Sequence, residues 1–154
     1  MLGVRNLFRV GAAVALLAGT AVCGGVMPAN PPTVEELKAR VNSASVADRP
    51  PLCVQIAERQ LEATDKLYAA VETEKAQATL ADVVAFSEEA RDFAIQSHKH
   101  QKQIEIAVRR MTRKLNDIKR TVSREEQVPL DNAIDHLQRV RDDLLTAMFP
   151  KGAK

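Results

Sequence analysis

The chain has few residues that punctuate a backbone and few that stack. Its 154 residues include six glycines, seven prolines, two cysteines, one tyrosine and no tryptophan, and only 3% are aromatic. Two cysteines exclude a disulfide-dense miniprotein. The scarcity of aromatics removes the stacking platform that single-stranded nucleic acid needs. An excess of one charge is missing too. The 22 Lys+Arg face 20 Asp+Glu, net +2, so no bulk attraction to a polyanion follows. No glycine-rich phosphate loop, no G-x-S-x-G elbow and no CxxCH haem sequence occurs. The sequence therefore predicts no enzyme and no cofactor. What is present, 45% hydrophobic and 27% charged residues, is the composition of a foldable single domain.

Most of the glycine sits in one place. Gly3, Gly11, Gly19, Gly24 and Gly25 all precede Pro28. Arg5 and Arg9 make a basic start, Val10 to Val22 is free of charge, and small residues follow. This is the pattern of a secretory signal peptide, assigned to residues 1–29. Export to the periplasm or outside is the expected location. Two other readings keep the segment attached to a membrane. The apolar run extended to Met27 is at the short end for a span. Thr20-Ala21-Val22-Cys23 resembles a bacterial lipobox, with Val22 where that motif carries a small residue, which would make Cys23 a lipidated cysteine.

The remainder reads as helix. Residues 30–50 hold a Pro-rich spacer, a short helix opened by the capping box Thr33-Val34-Glu35-Glu36, and a loop. The helical-hairpin domain is assigned to residues 51–149 and a tail to 150–154. From Leu52 to Val128 there is neither glycine nor proline, and strong helix formers dominate. One helix starts near Pro51, with Cys53, Ile56, Ala63, Leu67 and Val71 along its apolar stripe. A turn is expected at Glu72-Thr73-Glu74.

The next helix carries Leu80, Val83, Phe86, Ala90 and Phe93 on its first apolar face. The polar run SHKHQKQ follows, and then Ile104, Val108, Met111, Leu115, Ile118 and Val122 at heptad spacing. Counted backwards, that register passes through Gln101, Ser97, Ala94 and Ala90 without a slip. A single helix of about 48 residues, roughly 72 Å long, is the expectation. The alternative is a break near residues 97–101 that folds the chain into a bundle. Ser123-Arg124-Glu125-Glu126 is a second capping box, opening a last helix with Leu130, Ile134, Leu137, Leu144 and Met148 in register. The fold class is all-α: antiparallel helical hairpins in a coiled-coil-like bundle sharing one long central helix. Counting from the turns pairs Cys53 with Phe93, Leu67 with Leu80 or Thr79, Leu115 with Leu130 or Asp131, and Val108 with Leu137 or Gln138.

Chemistry-bearing residues are sparse and scattered. His98 and His100 lie two apart and point in opposite directions on a helix, and His136 pairs some way along the rod. Solvated histidines are the plain reading and a metal site the sharper one. Cys53, the cysteine that remains once a signal peptide is cut, is either a core thiol or the donor of an intermolecular disulfide. Adjacent acids such as Glu88-Glu89 diverge on a helix, so paired-carboxylate chemistry is not indicated.

One feature stands above this background. Residues 31–96 carry 12 acids and 7 bases, residues 97–124 carry 2 acids and 9 bases, and residues 125–154 carry 6 acids and 4 bases. Either acids on the neighbouring helix or another chain neutralise the basic stretch, or an anionic partner does. The prediction is a non-enzymatic exported helical protein acting through protein–protein contacts, as adaptor, scaffold or chaperone-like binder, with self-association or another protein as partner. The alternative is a binder of anionic envelope components, lipid headgroups or polysaccharide, through residues 99–124. Its candidate contacts are Lys102, Arg109, Arg110, Arg113, Lys114 and Arg120. A metal-binding helical bundle is the second alternative. Nucleic acid is not an expected partner.

Overall fold

Five helices account for most of residues 30–150, which are the residues that the structure, a computed structural model, describes. The expected signal peptide, Cys23 within it, and residues 151–154 lie outside the described residues. The helices are α1 (Val34–Ser43), α2 (Arg49–Ala69), α3 (Thr73–Ser97), α4 (Gln101–Lys119) and α5 (Arg124–Met148). No strand occurs among the described residues, and no described helix is long and apolar enough to cross a membrane.

Both capping boxes form. The Glu36 amide donates to Thr33 Oγ1 at 3.2 Å and the Thr33 amide donates to Glu36 Oε2 at 2.9 Å. The same reciprocal pair joins Ser123 and Glu126 at the start of α5. Each satisfies amides that the first turn leaves without partners. Pro129 lies inside α5, past the first turn, and the helix continues through it.

The single long helix expected between about residues 74 and 122 is two helices. The break falls in the polar run, where His98 (φ 55°) and His100 (φ 62°) both adopt the left-handed conformation. Each such residue without glycine's freedom costs about 1–2 kcal/mol. The reversal lets two hairpins bury their apolar faces on each other, and burying one leucine-sized side chain is worth ~1.5–3 kcal/mol. The core on both sides of the break contains Leu80, Val83, Ile104, Val108, Met111, Leu115 and Ile118, so burial outweighs the strain.

Side-chain bonds between helices give the arrangement. Gln60 bonds to Asp82, Thr64 to Thr79 and Cys53 to Glu89, so α2 and α3 are antiparallel. This register lies one helical turn from the expected pairing of Cys53 with Phe93. Lys119 meets Asp131 and Arg141 meets Glu105, so α4 and α5 are antiparallel, as counted from the turn. Between the hairpins the relation is parallel. Glu58 and Asp65 of α2 reach Arg110 and Lys114 of α4, while Thr73 and Arg91 of α3 reach Glu126 and Asp143 of α5. The short α1 caps the first hairpin with Leu37 and Val41. The Lys38 ammonium lies 5.4 Å from the Phe86 ring centre, and the Arg49 guanidinium lies 5.1 Å from that of Phe93.

These contacts explain two departures from the expected stripes. Phe86 and Phe93 sit at the margin of the core under cations, and Ser87 takes the central position, its hydroxyl donating to the Val83 carbonyl at 2.7 Å. Val71 is not on the α2 stripe. It is 81% exposed with φ 60°, just beyond the helix. The Glu72 amide donates to the Leu67 carbonyl and the Val71 amide to the Tyr68 carbonyl, which is the paired bonding of a Schellman stop. The turn therefore ends before Thr73, which begins α3.

Candidate functional site

The basic stretch is α4, and the bundle divides its cations between two directions. All six candidate contacts, Lys102, Arg109, Arg110, Arg113, Lys114 and Arg120, are exposed. Arg110 and Lys114 lean towards α2. Arg110 pairs with Glu58, and Lys114 Nζ lies 2.5 Å from Asp65 Oδ2. Lys119 does the same towards α5, 2.5 Å from Asp131 Oδ1. Neighbouring helices thus neutralise part of the stretch, with acids from both α2 and α5.

The other four cations form a stripe that faces away from the bundle. At about 100° per residue, Lys102, Arg109, Arg113 and Arg120 fall within ~20° of one line, spread over ~27 Å of helix. Among the described residues neither Lys102 nor Arg113 has an ion-pair partner. Arg109 reaches Glu105 at 3.8 Å and Arg120 reaches Asp117 at 3.5 Å, both on the same helix. Exposed pairs of this kind contribute little, ~0–1 kcal/mol. Glu105 is also shared. It is buried, and its other oxygen accepts from Arg141 Nε at 2.8 Å. Arg109 therefore holds the weaker claim on it. Ile106, 42% exposed, stands beside the stripe. It lines a groove of 550 Å³ between α2 and α4, together with Pro51, Val54, Lys102, Gln103 and Ala107.

Cys53 and His136 lie at contacts between helices. Cys53 is fully buried, and its thiol is 3.9 Å from Glu89 Oε2. Burial, and then the Glu89 carboxylate, push its pKa up to about 12, with Arg49 opposing. A thiol held protonated is a poor nucleophile and a poor partner for exchange. His136 Nδ1 bonds to Glu88 Oε1 at 2.9 Å, across α5 and α3. His98 and His100 are exposed at the α3–α4 break. Among the described residues no three His, Cys, Asp or Glu side chains gather in a way that could hold a metal ion.

Two polar features were not legible beforehand. Thr64 is fully buried, bonded to the Gln60 carbonyl at 2.7 Å and to Thr79 Oγ1 at 2.8 Å. Glu126 accepts from Thr73 Oγ1 at 2.6 Å, joining the two hairpins at one end. The capping-box spelling marked Glu126, but nothing in the sequence marked Thr73 as its second partner. No protein-family model, curated protein or solved structure matches this chain.

Proposed function

We propose that this is a non-enzymatic, exported interaction protein, and that the outward stripe of α4 docks an acidic face of a partner protein. The observation that carries the reading is the stripe Lys102, Arg109, Arg113 and Arg120, in which two cations have no ion pair and two hold only weak ones on their own helix. Three of the four are arginines, whose planar forks match carboxylates and which are enriched at protein interfaces. One exposed isoleucine beside them offers an anchor suited to a small interface pocket.

The chemistry of the stripe favours a protein over a membrane surface. A membrane surface is gripped by several apolar side chains inserted together, and only Ile106 is exposed on this face of α4. Export rests on the charge and hydropathy pattern of residues 1–29.

A synthetic acidic helix with glutamates at heptad spacing is the direct probe. Binding measured by anisotropy should weaken steadily with salt. Arg109→Glu with Arg113→Glu should lower affinity at least about tenfold. Charge reversal without effect would overturn the assignment. Binding to phosphatidylglycerol vesicles with no affinity for the acidic helix would transfer the stripe to a lipid partner.

A further inference from the structure

The three residues between α3 and α4 are held by fewer backbone hydrogen bonds than the α2–α3 turn, with Gln101 Nε2 reaching the Ala94 carbonyl only at 3.5 Å and His100 Nδ1 lying 3.1 Å from Gln103 Oε1. At the α2–α3 turn two carbonyls of the outgoing helix are capped by the paired bonds of a Schellman stop. At the α3–α4 junction the His98 amide reaches the Ile95 carbonyl at 3.3 Å, and the Lys99 amide reaches only Ser97 Oγ at 3.3 Å. Two of the three residues, His98 and His100, are left-handed without being glycine. Neither glycine nor proline stands anywhere from Leu52 to Val128 to make the reversal obligatory.

The register, meanwhile, runs straight through. Buried α3 positions Ala76, Leu80, Val83, Ser87, Ala90 and Ala94 step by four and three. The next steps fall on half-buried Ser97 and Gln101, then on buried Ile104, Val108, Met111, Leu115 and Ile118. A chain that straightened residues 98–100 would present one unbroken seam from α3 into α4, about 47 residues and roughly 70 Å long. Seam continuity is needed for a long shared helix and is irrelevant to two helices joined by a reversal.

We propose that a second copy of this chain exchanges hairpins with the first. In the exchanged dimer α3 and α4 form one helix, and the α2/α3 hairpin of each chain packs on the α4/α5 hairpin of the other. The pairs Glu58–Arg110, Asp65–Lys114, Thr73–Glu126 and Arg91–Asp143 all re-form between chains, since all four join the first hairpin to the second. The parallel relation of α2 to α4 and of α3 to α5 is kept under two-fold symmetry. The two states then differ mainly at residues 98–100, where the reversal carries left-handed strain and the straight form adds helix. The proposal does not depend on what α4 binds.

The test is refolding the full chain from guanidinium at low and at high concentration, with mass measured by light scattering after chromatography. A dimer that grows with refolding concentration is expected. His98→Gly with His100→Gly removes the left-handed strain and should lower the dimer fraction at least about tenfold. Replacing residues 98–100 by three alanines keeps the strain, favours helix and should raise it. A cysteine pair, Glu58→Cys with Arg110→Cys in a Cys23→Ala, Cys53→Ala background, identifies the connectivity on a non-reducing gel. An interchain link in the dimer is the expected result. A dimer whose engineered disulfide stays within each chain is an association of intact bundles and overturns the proposal. So does a chain that is monomeric at every concentration, or a glycine variant as dimeric as its parent.

Discussion

The two hairpins are built on opposite packing strategies. Between α2 and α3 much of the core is small: Ala57, Ala76, Ala90, Ala94, Ser87 and Thr64 are all buried. Between α4 and α5 it is large and aliphatic, with Ile104, Met111, Leu115 and Ile118 facing Leu130, Ile134, Leu137 and Leu144. Small side chains allow two helix axes to approach closely, and the buried hydroxyls of Thr64 and Ser87 satisfy themselves on the preceding turn. Large ones hold the axes apart and stabilise through the area they remove from water. The comparison teaches that one chain can join two hairpins of different grip around a common seam, and that each is vulnerable to the opposite kind of substitution.

The largest expected effects come from crossing the two strategies. Leu137→Ala, in the aliphatic hairpin, should destabilise the fold by about 2–5 kcal/mol through lost burial and a cavity. Ala90→Leu, in the close-packed hairpin, should destabilise by ~1–3 kcal/mol because a larger side chain forces α2 from α3. Chemical denaturation of both variants checks this. If Ala90→Leu is neutral while Leu137→Ala behaves as expected, close approach is not what the alanines secure.

A smaller effect of opposite sign is expected at the α2–α3 turn. Val71 is left-handed, β-branched and 81% exposed. It gains nothing from burial that would offset its strained backbone. Val71→Gly should stabilise by about 0.5–1 kcal/mol, after allowing for glycine's greater freedom when unfolded, and raise the melting temperature by ~2–5 °C. The comparison sharpens if this substitution leaves the oligomeric state alone while the same change at His98 and His100 alters it. One left-handed residue sits in a turn closed by the paired bonds of a Schellman stop, and the other two sit in a turn held by single bonds such as His98 amide to Ile95 carbonyl at 3.3 Å.

The same contrast explains what the sequence revealed. The aliphatic hairpin was readable because leucine and isoleucine at heptad spacing declare a face; Leu130, Ile134, Leu137 and Leu144 are buried as expected. In the close-packed hairpin Ile56, Leu80 and Val83 declared themselves, but the buried Thr64 and Ser87 carry little hydropathy signal, so the aromatics Phe86 and Phe93 drew the stripe off its true line. Val71 was assigned to α2 on hydropathy alone, because a left-handed stop without glycine leaves no mark in composition. Both capping boxes were legible because their geometry is written in four adjacent residues. The break at residues 98–100 was visible as a polar run, yet the intact register argued against it. Of the basic stretch, the sequence showed the charge but not its division. Which cations meet α2 acids depends on a parallel packing that only the folded chain specifies.

The smallest expected effect lies at one end of the seam between the two hairpins. Thr73 Oγ1 donates to Glu126, and the Ser123 amide and hydroxyl donate to it as well, at 3.0 and 2.9 Å. These bonds, Thr73 first, hold the Glu126 carboxyl below its ordinary 4.5. A lowered carboxyl contributes stability above its unfolded pKa and loses it as pH falls through the folded value. Stability should therefore decline from about pH 4.5 downwards, and Glu126→Gln should flatten that limb with little change at neutral pH. Thr73→Val removes the first hairpin's share of the bond. Followed by carbon-detected titration, it should return the Glu126 carboxyl part of the way towards 4.5, leaving the Ser123 share in place. A carboxyl unmoved by the loss of Thr73 would mean that Glu126 belongs to the second hairpin alone. Between α3 and α5 the junction would then rest on the Arg91–Asp143 and His136–Glu88 pairs, beside the Glu58–Arg110 and Asp65–Lys114 pairs that join α2 to α4.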